Sequence, residues 1–128
     1  ACLIFAHELG RRAAAGGWGA LSLAAHPGIA ATELVANGPG PGSRIAWLQK
    51  LAAPFIQQSG EAGAWPLILA CIDPYAREGN YYGPRHLFEC KGPPGPAKSE
   101  PQALDPEAGR RLWEIAERLT GEALRPAP

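Results

Sequence analysis

The sequence predicts an α/β fold that contains part of a parallel β-sheet. Apolar residues recur at helical spacing along several segments, which is typical of amphipathic helices packed on a core. Residues 20–25 form a short apolar run, interrupted only by Ser22, with Gly on one side and Pro-Gly on the other. A run without polar alternation favours a strand covered on both faces, as in a parallel sheet. At 128 residues, the chain is long enough for one compact domain and too short for two ordinary ones.

Composition and charge exclude several classes of protein. Hydrophobic residues make up 46% and charged residues 19%, as in ordinary globular domains. Lys+Arg and Asp+Glu both number 12, so no basic face is available for a phosphate backbone and we expect no nucleic-acid partner. No apolar run reaches the roughly 20 residues of a membrane span.

The three cysteines, Cys2, Cys71 and Cys90, show no metal-ligand spacing. We predict free, buried thiols in a reducing compartment, which places the protein in the cytoplasm. A lipoprotein start at Cys2 is the alternative interpretation of the first of them.

The first predicted helix carries an apolar face at Leu3, Ile4, Phe5 and Leu9 and ends at Gly16 and Gly17. No Ser, Thr, Asp or Asn precedes it to cap the first turn. We therefore expect that the helix begins upstream of Ala1 and that the chain is a fragment. The strand at residues 20–25 then follows a tight turn, and it needs parallel neighbours for which the chain offers few candidates.

Two helices and two short strands are predicted in the middle of the chain. Ser43 can cap a helix that Pro54 bends, after the irregular run of residues 37–42. Ser59 can cap a second helix that ends at Asp73 and Pro74, with Leu67, Ile68 and Cys71 as core candidates. Residues 80–83 and 86–90 are short enough for strands, and residues 91–103 are predicted to be a loop.

The last predicted helix has the clearest boundaries. Asp105 caps it, Pro106 occupies its first position and Gly121 ends it. The predicted core stripe consists of Leu112, Ile115 and Leu119. Charged pairs four residues apart lie on the other side: Glu107 with Arg111, and Glu114 with Arg118.

Five segments in this order resemble the C-terminal half of a classical short-chain dehydrogenase/reductase, and most closely the retinol-dehydrogenase-like branch. The segments are "ACLIFAHELGRR", "LAAHPGIAATEL", "GAWPLILACIDP", "GNYYGP" and "RRLWEIAERLTG". The resemblance implies that residues 1–128 are a single partial domain, the C-terminal portion of a doubly wound Rossmann-type parallel sheet whose N-terminal half is absent. It also implies hydride transfer between NAD or NADP and a small-molecule alcohol or carbonyl substrate.

The resemblance assigns roles to a few residues. Pro27, Gly28 and Ile29 would bend over the nicotinamide with their backbone at its carboxamide, and Thr32 would offer its hydroxyl to the carboxamide or a phosphate. Residues 33–59 would form the substrate loop and helix. Alternatively, Pro27 and Gly28 form only a turn and Thr32 is a local cap.

Three further expectations concern side chains near these segments. By resemblance, "GNYYGP" is the last strand of the central sheet. Its tyrosines, Tyr81 and Tyr82, pack on opposite faces with no catalytic role. His26 is expected to orient the Pro-Gly turn by hydrogen bonding.

The catalytic residues of the family are missing from this chain. Its tyrosine is followed four residues later by a lysine, whereas Tyr75, Tyr81 and Tyr82 are followed at that distance by Gly79, Arg85 and His86. No glycine-rich loop for the pyrophosphate is present either. The sequence thus indicates a piece of an oxidoreductase that supplies one wall of the cofactor site and most of the substrate pocket. The alternative is a non-catalytic interaction domain or remnant that binds a partner, and self-association is possible in either case.

Overall fold

The structure is a computed structural model, and it describes residues 1–29 and 57–123. In chain order its elements are α1 (Cys2–Gly16), β1 (Ala24–Ala25), α2 (Gly60–Ile72), β2 (Tyr81–His86), β3 (Lys91–Pro96), a 3-10 turn (Pro101–Ala103) and α3 (Pro106–Thr120). The chain divides into two compact units. The first contains α1, the 3-10 turn and α3, and the second contains α2, β3 and most of β2. The α/β class is confirmed.

The three described strands form one open sheet in the order β1-β2-β3. The Ala24 amide donates to the Asn80 carbonyl at 3.0 Å and the His26 amide donates to the Tyr82 carbonyl at 2.9 Å. Donors and acceptors advance in the same direction, so β1 and β2 are parallel. β2 and β3 are antiparallel. The sheet is therefore mixed, whereas a parallel sheet was expected.

Three strand predictions are wrong. The predicted strand at residues 20–25 shortens to Ala24–Ala25, because the Ser22 amide donates to the Glu78 carboxylate and its hydroxyl to the Ala6 carbonyl. Residues 87–90 form a turn, since Leu87, Phe88 and Glu89 all have positive φ. The predicted loop at residues 91–103 begins instead with β3.

It follows that "GNYYGP" supplies the central of the three described strands and not the last one. β3 contains Pro93, Pro94 and Pro96, which an edge strand tolerates because its outer amides need no partner. In the central strand, Pro84 sits where the register with β3 shifts, between Pro84 and His86.

The predicted helix ends are confirmed. Gly17 ends α1 with a left-handed backbone, and Ala1 provides no side-chain cap. The Ser59 hydroxyl accepts from the Ala62 amide at the start of α2. Asp105 caps α3 by accepting from the Glu107 amide at 2.9 Å, and Gly121 closes that helix with φ +73°.

Trp113 is the centre of the first unit. Its side chain is 2% exposed, and its ring stacks on Phe5 with centroids 5.1 Å apart. The Arg12 guanidinium lies 4.5 Å from the Trp113 ring, and Arg12 also binds the buried Glu8 carboxylate at 2.7 Å. The predicted stripe of α3 is wrong as a core assignment, since Ile115 and Leu119 are exposed. The buried face of α3 is the one that carries Gly109 and Trp113.

The second unit is built around Tyr82, Pro84 and Pro66, all buried, with α2 packed against β3. Leu67, Ile68 and Cys71 were predicted as core residues but are exposed. α2 is apolar on nearly every side, so its pattern does not show which side is covered. The buried side carries Gly63 and Pro66.

The cysteines are free, as predicted, but they are not buried. Cys2 and Cys71 are exposed and Cys90 is half-buried. Among the described residues, none of the helices combines the length and apolar character that a bilayer crossing requires.

Candidate functional site

The candidate site is the Pro-Gly loop, residues 26–29, which directly follows β1 in the second unit. Gly28 has a left-handed backbone with φ +65°. A Cβ atom on Gly28 would lie 2.3 Å from the Cys90 carbonyl oxygen and 2.7 Å from Cγ of Pro84. Both the backbone angle and the space therefore require glycine at this position.

His26 holds the loop in shape, as predicted from the sequence. Its Nδ1 accepts a hydrogen bond from the Gly28 amide at 3.3 Å. In the neutral ring the proton is then on Nε2, which lies 3.4 Å from the Glu89 carboxylate. The ring packs so closely on β2 that a Cβ atom at Gly83 would be 1.9 Å from Nε2.

Gln58 fastens the loop to β3, and sequence reasoning missed it. Its side-chain amide donates to the Pro27 carbonyl at 2.7 Å, and its backbone amide donates to the Ile29 carbonyl at 3.0 Å. Its side-chain oxygen accepts from the Gly92 amide at 3.0 Å. The side-chain bonds join residues 31 and 34 positions apart, so no local pattern could have identified Gln58.

The donors of the loop are already engaged within the chain. Pro27 has no amide hydrogen, the Gly28 amide donates to His26, and the Ile29 amide donates to the Cys90 carbonyl at 2.7 Å. A nicotinamide carboxamide carries both N–H donors and an acceptor oxygen, so it can also bind through the carbonyl groups of the loop. In this conformation, therefore, residues 27–29 offer a ligand carbonyl acceptors rather than amide donors.

The remaining predicted residues are only partly described. The structure brings Pro27, Gly28 and Ile29 together in one loop. Thr32 lies outside the described residues, as does the predicted substrate region 33–59 except for its last three residues. In residues 1–29 and 57–123 no group of three His, Cys, Asp or Glu side chains could hold a metal ion.

Tyr82 makes a contact that stabilises the second unit. The Tyr82 hydroxyl donates to the Asp73 carboxylate at 2.8 Å, at the point where α2 ends. Burial raises the pKa of Tyr82, and the hydrogen bond and charge of Asp73 raise it further. The phenol therefore stays protonated and links β2 to the end of α2.

Comparison with known proteins shows likeness at the level of fold. No family model matches the chain, and no curated protein matches it. Among solved structures, the chain is similar to an uncharacterised protein from Mycobacterium paratuberculosis, with 24% sequence identity and a TM-score of 0.60. The match covers 96% of this chain and 37% of the other one, so the chain spans little more than a third of that protein's length.

Proposed function

We propose that the chain is part of an NAD(P)-dependent oxidoreductase of the short-chain dehydrogenase/reductase type, which interconverts an alcohol and a carbonyl compound. On this proposal it is the C-terminal portion of a doubly wound Rossmann-type sheet in a cytoplasmic enzyme. The observation that carries the proposal is the Pro-Gly loop: it directly follows a strand that is parallel to its neighbour, at the sequence position that the family resemblance assigns to the nicotinamide wall.

Contacts on both sides of Gly28 fix the shape of the loop, which supports the proposal. Gly28 has no room for a side chain, and His26 and Gln58 fix the peptide groups on either side of it. A loop whose shape is fixed by such contacts can position a ligand beside it. The bound cofactor would supply the hydride chemistry, and the chain would supply position. The carbonyl groups of the loop would accept hydrogen bonds from the carboxamide nitrogen of the cofactor.

The first test is the nucleotide sequence upstream of the Ala1 codon. We expect an open reading frame that encodes Tyr-x-x-x-Lys shortly before Ala1 and a glycine-rich loop well before that. A start signal directly at Ala1 would contradict the proposal for this polypeptide.

The second test measures NADH and NADPH binding to the extended protein by fluorescence. Thr32→Ala is expected to weaken binding by about tenfold, which corresponds to the loss of one good polar contact. Thr120→Ala is the matched control, because the Thr120 hydroxyl bonds to the Ala116 carbonyl of its own helix. Equal binding by Thr32→Ala and Thr120→Ala would remove Thr32 from the site.

One observation favours the alternative, a non-catalytic interaction domain. α2 exposes four large apolar side chains, namely Trp65, Leu67, Ile68 and Ile72. Scattered exposed apolar residues are ordinary, but four on a 13-residue helix indicate a covered surface in the working protein. A stable complex formed by the 128-residue chain itself, with no nucleotide binding, would favour this alternative.

A further inference from the structure

The turn between β2 and β3 exposes apolar residues on a strained backbone. Leu87, Phe88 and Glu89 have φ values of +49°, +56° and +62°. Non-glycine residues rarely adopt this conformation, and three in succession are costly. The turn is nevertheless closed by a hydrogen bond from the Cys90 amide to the Leu87 carbonyl at 3.1 Å. Strain of this kind is typical of segments that are held for a function.

The strained backbone presents an apolar tip, which we define as Leu87 and Phe88. Phe88 is fully exposed and about half of Leu87 is exposed. Burial of an aromatic ring is a main source of stability in a folded chain, and here the ring has been left in water. The exposed position of Phe88 therefore does not contribute to the hydrophobic core of the second unit.

Basic residues surround the tip. Arg85 and His86 precede it and Lys91 follows it, with His86 directly opposite Lys91 in the strand register. Arg85 lies along Gly95 and His86 lies against Gly92, so both side chains follow the glycines of β3.

Glu89, the acidic residue in this stretch, lies close to His26. Glu89 is the one acid between residues 85 and 91, and its carboxylate lies 3.4 Å from Nε2 of His26. Arg85 and Lys91 flank the apolar tip, and residues 85–91 therefore carry two permanent cations against one carboxylate, that of Glu89. The combination of an exposed aromatic ring and flanking cations is complementary to the surface of an anionic bilayer.

We propose that the tip inserts into the headgroup region of an anionic membrane, with Arg85 and Lys91 at the lipid phosphates and carboxylates. A protein partner fits the observations less well. An aromatic side chain buries about 150–250 Å², whereas a stable protein interface needs about 800 Å² from each partner. A shallow insertion combined with charge attraction needs no such area. This proposal does not depend on the oxidoreductase proposal.

The experiment is sedimentation of the 128-residue chain with vesicles of equal parts phosphatidylcholine and phosphatidylserine, and with vesicles of phosphatidylcholine alone. We expect binding to the mixed vesicles that is weakened by salt, and much weaker binding to the neutral ones. Phe88→Asn should lower the partition coefficient on mixed vesicles about tenfold. Asparagine suits the left-handed backbone, so this variant removes the ring without adding strain. Lys91→Glu should lower the same coefficient about tenfold or more, because it reverses a charge.

Matched controls lie in the first unit. Leu119→Asn removes another exposed apolar side chain and Lys98→Glu reverses another exposed charge, and both should bind like the parent chain. The proposal is overturned if the parent chain binds neutral and anionic vesicles equally, or if Leu119→Asn loses as much binding as Phe88→Asn. It is also overturned if Phe88→Asn keeps vesicle binding and loses a protein complex instead, since the tip would then belong to a protein partner.

Discussion

Gly28 tests how far the shape of the Pro-Gly loop depends on one residue. Gly28→Ala would place a methyl group against the Cys90 carbonyl and would also force alanine into a left-handed backbone. We expect a loss of about 3 kcal/mol or more in the free energy of unfolding, from strain and overlap together. Urea titration followed by circular dichroism, with trimethylamine N-oxide present to raise the folded fraction, would measure it.

Gly121 is the matched control for Gly28. It has a similar backbone, with φ +73°, but open space where a Cβ atom would be. Gly121→Ala should therefore cost only the conformational part, about 1 kcal/mol. Equal losses at the two positions would show that the space around Gly28 is not restricted.

His7 makes the stability of the first unit depend on pH. Burial lowers its pKa and the Arg11 charge lowers it further, while Glu78 acts in the opposite direction. Because its pKa is lower in the folded chain than in the unfolded one, the unfolded state binds more protons in the interval between them. The stabilising contribution is complete above the ordinary value of about 6.5 and is lost as the pH falls below it.

The expected outcome is a decrease in the free energy of unfolding between about pH 7 and pH 5, which His7→Gln should reduce. His86→Gln is the control, because His86 is exposed in β2. The measurement is urea unfolding at several pH values. A pH dependence that survives His7→Gln unchanged would assign the effect to other groups.

At the level of elements, α3 buries a different face from the one its sequence predicts. Trp113→Ala should cost about 3–5 kcal/mol, because a fully packed ring stacked on Phe5 is lost. Leu119→Ala should change the free energy of unfolding by less than about 0.5 kcal/mol, since Leu119 is 78% exposed. Thermal and urea midpoints of the two variants would decide which face is buried. A larger loss at Leu119 would restore the predicted stripe.

Helix ends could be predicted from the sequence because they depend on neighbouring residues. Ser59, Asp105 and Gly121 each act within three or four positions of the residues that they cap. Strands could not be predicted in this way, since pairing joins distant segments. The three prolines of β3 indicated a loop, and only its pairing with β2 makes it a strand.

In the candidate site, too, contacts between neighbouring residues could be predicted and contacts between distant residues could not. The link from His26 to Gly28 spans two residues and was predicted. The contacts of Gln58 with Pro27 and Gly92 span more than thirty residues and were not. The hydrogen bond from the Ile29 amide to the Cys90 carbonyl also joins distant residues and was not predicted.

At the scale of the whole molecule, large apolar side chains are more often exposed than buried. In the described ranges the buried apolar residues are Ala13, Tyr82, Ala103 and Trp113, while twelve large apolar side chains are exposed. The hydrophobic contribution that the described residues make to stability is correspondingly small. We expect the chain on its own to be of low stability, with low thermal and urea midpoints, and to bind the dye anilinonaphthalene sulfonate. A monomer with high thermal and urea midpoints that binds no dye would contradict this.

β3, an outer strand among the three described ones, limits how the sheet can pair with a strand of another molecule. Three of its six residues are prolines, which lack an amide hydrogen. β3 therefore cannot donate a regular series of backbone hydrogen bonds to another strand. β1, at the opposite edge, contains no proline. Among the described strands, pairing between copies of this chain would therefore involve β1 rather than β3.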